Sequence, residues 1–283
     1  MTMNLQYLLD LLKPQRITEI VDIGANPIDG DPPYLPMLKA GEICRVTGFE
    51  PQEAALIKLN DAKGRLERYL PYAVGDGSEK VFNICSAEGM SSTFKPDNKI
   101  LKIFYPLDIW GQVVSQKKVL TKTLDSISEI EEIDFLKIDI QGGELNVFQH
   151  GRKKLINAVV IHTEVSFIPL YEDQPTFGAV DIELRGLGFI PHSFPAIKNW
   201  MISPLEINGD PTIPLNQLLE ADIVYVKDFT KPENISDEQL KHLALISHIC
   251  YKSFDLSMRC IAILELRGAV PSGSVARYPS MLG

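Results

Sequence analysis

Several apolar runs in this chain end on, or just before, residues able to handle protons and hydroxyl groups. "VDIGAN" carries Asp22 and runs through Gly24 and Ala25 to Asn26. "GFEP" ends on Glu50 and Pro51, and "AVGD" on Asp76. "FLKIDIQGGE" holds Asp139, Gln141 and Glu144, and "VVIHTEVS" holds His162 and Glu164. A carboxylate at a strand end can accept hydrogen bonds from the two vicinal hydroxyls of a ribose. A carboxylate or imidazole within hydrogen-bond reach of a hydroxyl can take its proton. A glycine at such a turn lets the backbone approach a ligand closely. Each feature has a plainer competitor: a structural D-x-G turn, a solvated strand-end glutamate, a packed strand histidine.

Such groups act together only if the chain brings the strand ends to one place. Leu5, Leu8, Leu9 and Leu12 recur at helical spacing, and Pro14 ends that helix. Residues 17–24 and 44–51 read as short strands and 54–64 as an amphipathic helix. "YLPYAVGDG" reads as one third strand, followed by "SEKVFNICS" as an antiparallel or edge strand. Residues 88–105 and 117–124 give only loop and strand pieces. Residues 133–140, 158–166 and 221–229 are strands rich in β-branched residues, and 177–188 is a glycine-terminated helix. This alternation predicts an α/β fold, a parallel sheet with helices on both faces, which binds ligands at the carboxyl ends of its strands. From Ser236 the texture changes. Ser236 and Gln239 form a capping-box pattern, and two amphipathic helices, the second closed by Gly268, predict a helical hairpin. The division expected is a sheet domain over 1–230 and, over 231–283, the hairpin with a mobile Gly/Pro/Ser-rich tail.

Composition removes several classes of function. A net charge of −9 argues against nonspecific nucleic-acid binding, which needs a basic footprint. The four cysteines have no C-x-x-C or zinc spacing and read as small buried hydrophobes, and no metal site is expected. The N-terminus lacks a basic n-region, and no apolar window is long enough to span a membrane, so a cytoplasmic location is expected. A dinucleotide fingerprint needs G-x-G-x-x-G, and after Asp22 only Gly24 is in place, which disfavours NAD. A crevice holding Asp22, Glu50, Asp76 and Asp139 suits a nucleoside that carries positive charge; S-adenosylmethionine, with its ribose diol and cationic sulfur, fits this description.

The order and spacing of "VDIGAN", "GFEP", "LIKLN", "YAVGD", "TLDSI", "FLKIDIQGGELNVFQHG" and "HTEVSFIPLYEDQPTF" resemble the FkbM family of S-adenosylmethionine-dependent methyltransferases over about residues 17–230. The resemblance implies a class I methyltransferase (Rossmann-like) fold: a mostly parallel, seven-stranded sheet flanked by helices, with "GFIPHSF" and "DIVYVKDF" as the last two strands. It implies that Asp22, Gly24, Ala25 and Asn26 line the methionine end of S-adenosylmethionine. Glu50 and Pro51 would lie at the ribose, Asp76, Ser91 and Ser92 near the adenine, and Asp139 beside the reacting methyl group. The implied activity is O-methylation of a hydroxyl on a small molecule such as a sugar or polyketide. Asp139 and His162 are then candidate bases, Glu164 and Glu144 orienting groups, and Gln141 and Glu144 substrate contacts. The family usually reads D-x-E-G-x-E here, and this chain has Gln141 in place of the middle acid. The stretch 27–38 is also longer than the family's turn. N-methylation, a lipid- or peptide-borne acceptor and a noncatalytic cofactor-binding module stay open as alternatives. Acceptor contacts are expected from loops 28–36, 86–116 and 167–176, and the C-terminal hairpin is expected to pack on the sheet or across a homodimer interface.

Overall fold

The computed structural model describes residues 3–26 and 30–281. Pro27, Ile28 and Asp29, within the expected acceptor loop 28–36, lie outside the described residues, as do the two residues at each terminus. The strands are β1 (Thr18–Ile23), β2 (Cys44–Phe49), β3 (Glu67–Leu70), β4 (Ala73–Gly75), β5 (Glu79–Cys85), β6 (Val113–Thr123), β7 (Phe135–Ile138), β8 (Val160–Ser166), β9 (Phe189–Trp200) and β10 (Gln217–Lys227). Seven of them form one sheet in the order β3-β2-β1-β7-β8-β10-β9, and β4, β6 and β5 form a second, three-stranded sheet. In the large sheet β1 pairs in parallel with β2 and β7, while β10 runs antiparallel to both β8 and β9. This is the class I methyltransferase arrangement. The strand order reverses between β1 and β7, which puts the crevice at the ends of those two strands.

Strand residues alternate between two apolar layers. Ile20, Phe135, Val160 and Val224 face one side with Leu8, Leu243, Ile246 and Ile261; Val21, Leu136, Ile161 and Ile223 face the other with Val147, Phe148 and Leu184. The helices Asp237–Tyr251 and Phe254–Leu266 therefore cover one face of the sheet and share its core. The first is opened by the expected capping box, the Ser236 hydroxyl accepting from Gln239 N and the Gln239 side chain from Ser236 N.

Three regions differ from expectation. "YLPYAVGDG" is not one strand: Pro71 has no N–H for the ladder, so β3 ends at Leu70 and β4 restarts in the other sheet. The pieces read around 117–124 belong to the eleven-residue strand β6, which pairs antiparallel with β5. The segment expected as a mobile tail is packed as far as Tyr278. It forms a helical turn at Ser274–Arg277 and buries Val270 and Tyr278, whose hydroxyl meets His248 Nδ1 at 2.7 Å. Two apolar anchors outweigh its Gly/Pro/Ser content.

Candidate active site

The end of β1 is stitched to the ends of its neighbours. Gly24 and Ala25 both donate their N–H to Phe49 O at 3.1 Å, and Asp139 N donates to Ile23 O at 3.1 Å. Gly24 has φ +81°, and a Cβ on it would stand 2.0 Å from Asp139 O, so no other residue fits there. The cleft above this junction is lined by Gly24, Asn26, Glu50, Pro51, Ser91, Asp139 and Gln141. Glu50 is only 3% exposed; burial pushes its carboxyl above the ordinary glutamate range, opposed by the N–H of Gln52 at 2.7 Å. An apolar slot continues from the cleft between Phe49, Tyr72, Val74, Phe82 and Ile140, with Asp76 at its edge. Burial works against ionised Asp76, but hydrogen bonds from Lys80 and Ser78 outweigh it and hold the carboxyl well below its ordinary range.

The turn after β7 is held from every side. Gln141 sits at φ +57° and Gly142 at φ +105°, a left-handed pair that costs a side-chain-bearing residue backbone strain. Ser92, fully buried, donates its hydroxyl to Gln141 O at 2.7 Å. The Gln141 amide nitrogen donates to Asp139 Oδ1 at 2.8 Å and Glu164 Oε2 at 2.9 Å, and its oxygen accepts from Tyr171 OH at 3.1 Å. An ionised carboxylate at this position could only accept, and would face the oxygens of Asp139 and Glu164 with no donor between them. The amide thus replaces repulsion with two donated bonds. Glu144 faces back into the turn, accepting from Ile140 N at 2.9 Å and Gly142 N at 3.2 Å; burial pushes its pKa up to about 7.

Behind Asp139 lies a cavity of about 560 Å³ over the face of the sheet that carries the C-terminal helices. Its polar wall is a product of register. Asp22 pairs with Lys137 across β1 and β7, Lys137 with His162 across β7 and β8, and Lys198 with Glu220 across β9 and β10. Asp22 is buried between Tyr34 OH at 2.6 Å and Lys137 Nζ at 3.3 Å. Lys198 donates to Glu164 at 2.6 Å and lies 3.6 Å from Glu220. Burial, reinforced by the charge of Glu220, pushes Glu164 well above the ordinary range; burial also raises Glu220. Lys198 is itself raised, because the two carboxylates outweigh its desolvation. Burial, helped by the Lys137 charge, lowers His162 to about 4, so its imidazole is neutral at physiological pH. Among the described residues no group of three or more His, Cys, Asp and Glu is arranged to hold a metal ion.

The sequence matches the Methyltransferase FkbM domain over residues 22–191, more than half of the chain. This chain belongs to the FkbM methyltransferase family. It is similar to the 2-O-methyltransferase NoeI of Sinorhizobium fredii (strain NBRC 101917 / NGR234), at 27% identity over 183 residues, covering 60% of this chain and 71% of that one. Among solved structures it is similar to the magnesium protoporphyrin IX methyltransferase of Synechocystis PCC 6803, crystallised with bound SAM. The identity is 9% and the TM-score 0.40, covering 79% of this chain and 76% of that one. A SAM-dependent methyltransferase from Aquifex aeolicus is also similar, at 12% identity and TM-score 0.31 over 78% of this chain and 88% of that chain. The FkbM protein is an S-adenosylmethionine-dependent methyltransferase.

The fold of this FkbM methyltransferase brings most residues singled out in the sequence together, in two places. Gly24, Asn26, Glu50, Pro51, Ser91, Asp139 and Gln141 meet at the cleft, and Asp76 at the slot. Asp22, Ala25, His162 and Glu164 line the cavity instead, and Asp139 lines both spaces. Ser92 and Glu144 spend their polar atoms on the turn itself. Sequence reasoning missed Lys137, Tyr171, Lys198 and Glu220. A usable signal existed for two of them: Lys137 and Glu220 are charges inside apolar strands, and a buried charge implies a partner. Nothing local pointed to Lys198.

Proposed function

We propose that this methyltransferase transfers its methyl group to a hydroxyl of a small, polar acceptor held in the cavity beside Asp139. The observation that carries the reading is that Asp139 lines both the cleft and the cavity. The residues at the cleft fit S-adenosylmethionine: a glycine junction with no room for a Cβ, a buried carboxylate on Glu50 for the ribose diol, and an apolar slot lined by Tyr72, Val74, Phe82 and Ile140 for a flat base. When bound, S-adenosylmethionine supplies a methyl group activated by a positively charged sulfur. Asp139, fixed by the Gln141 amide, accepts the proton that the acceptor hydroxyl loses. Lys198 and Glu164, which line the cavity, supply hydrogen bonds that place the acceptor, and such placement accounts for roughly 7–11 kcal/mol of rate in well-oriented reactions. The name of the similar NoeI protein, a 2-O-methyltransferase, supports an oxygen acceptor.

The test is a panel of methyl glycosides and other polyols incubated with the protein and S-adenosylmethionine, with S-adenosylhomocysteine release as the readout. Release with one or a few hydroxylated acceptors is expected. Release only with amines, or none from the whole panel by protein that binds S-adenosylhomocysteine in calorimetry, would overturn the reading.

A further inference from the structure

The helical hairpin after residue 230 lies outside the span matched by the family, and its apex touches the sheet at the cavity. Helix Asp237–Tyr251 stops sharply: Lys252 takes a left-handed conformation at φ +53°, and Ser253 N returns to Ser247 O at 2.9 Å. That stop fixes the last helical side chain, Tyr251, beneath β7 and β8, where its ring lies 6.0 Å from that of Phe135. Its hydroxyl meets His162 Nδ1 at 3.0 Å. The next residue but one repeats the contact on β9, with the Ser253 hydroxyl 2.9 Å from His192 Nε2. The apex therefore binds two strand histidines, and His162 is the one that lines the cavity.

We infer that the C-terminal hairpin is a working part of the acceptor site, with Tyr251 as the positioning residue that holds Nδ1 of His162 and leaves Nε2 as the ring nitrogen that serves the acceptor. This rests on the reading of the cavity as the acceptor site. A neutral imidazole has one donor and one acceptor nitrogen, and a phenol hydroxyl donates more readily than it accepts, so a Tyr251 O–H donated to Nδ1 leaves the ring proton on Nε2. Without the Tyr251 hydroxyl the ring is free to exchange tautomers and to turn.

The experiment uses the full chain saturated with S-adenosylhomocysteine. Long-range proton–nitrogen NMR of the imidazoles is expected to show His162 as a single neutral tautomer, and as a mixture in Tyr251→Phe. With a hydroxylated acceptor from the panel above, Tyr251→Phe is expected to raise acceptor KM about tenfold, the size of one lost hydrogen bond, while S-adenosylhomocysteine affinity holds. His162→Phe should give a similar rise, and the double variant no further rise, because the two act as one unit. An unchanged tautomer in Tyr251→Phe, or additive KM effects, would overturn the inference. Should Tyr251→Phe fail to fold, an unchanged acceptor KM in His162→Phe overturns it alone. Failure of every acceptor in the panel strikes the proposed function instead, while the NMR comparison still decides the Tyr251–His162 link.

Discussion

The cleft beside Gly24 and the cavity beside Lys198 share Asp139 as a common wall, yet they are built from different materials. The cleft is made of main chain and short motifs: a glycine junction, single side chains at the ends of β1 and β2, and a left-handed turn. The cavity is made of charged side chains brought together across five strands, with carboxylates and lysines set beside one another by strand pairing. A backbone-built site tolerates little change of shape, because no neighbouring atom can give way. A site built from paired charges can be retuned one residue at a time, at the cost of leaving a partner exposed to burial without its counter-ion. On the proposed reading, the difference suits the two tasks, cofactor binding in the cleft and acceptor binding in the cavity.

Substitutions can break that comparison. Asp139→Asn, at the shared wall, should lower turnover about 1,000-fold, within the usual range for a lost general base, with S-adenosylhomocysteine affinity nearly unchanged. Gly24→Ala should weaken S-adenosylhomocysteine binding about 100-fold in calorimetry, since its Cβ would stand 2.0 Å from Asp139 O and strain of this kind costs roughly 3 kcal/mol. Wild-type affinity there would mean that the cleft is not backbone-built. Lys198→Met should leave that affinity alone and raise acceptor KM about tenfold. It should also cost about 1–2 kcal/mol of stability in urea unfolding, below the figure for a fully buried pair because the lysine side chain is 41% exposed. A change in cofactor affinity instead would show that the two spaces are not separate.

The smallest effect belongs to Glu144. Its folded pKa of about 7 lies above an unfolded value near 4.5, so its contribution to stability is present below about pH 4.5 and is lost as pH rises through 7. Glu144→Gln keeps an oxygen for Ile140 N and Gly142 N but carries no charge. Thermal unfolding should therefore show the variant at least as stable as wild type at pH 8, with the gap closing toward pH 5. A variant less stable at pH 8 would contradict burial as the cause.

The same contrast explains what the sequence revealed. Gly24, Glu50 and Asp139 each stand at the end of a short strand-like run, so their motifs are readable and the parallel-sheet rule puts them in one crevice. Lys198 finds Glu164 and Glu220 only through the pairing of β9 with β10 and β10 with β8, which no local pattern encodes. Pro71 was in plain view as a strand breaker and divides what read as a single strand. The tail's composition hid Tyr278, whose burial depends on His248 and the helices around it. In sequence Gln141 reads only as a departure from the family's middle acid and a substrate contact; its role as an amide bridge needs the left-handed turn and two distant carboxylates to become visible.

The central claim, that the methyl group passes to an oxygen of an acceptor lying in the cavity next to Asp139, is tested most directly by following the methyl itself. S-Adenosylmethionine labelled with carbon-13 at the methyl group, incubated with the protein and a hydroxylated acceptor, should yield a product whose labelled carbon is bonded to oxygen in its NMR spectrum. Label found on nitrogen or carbon, or left wholly on the cofactor by protein shown to bind it, would contradict the account.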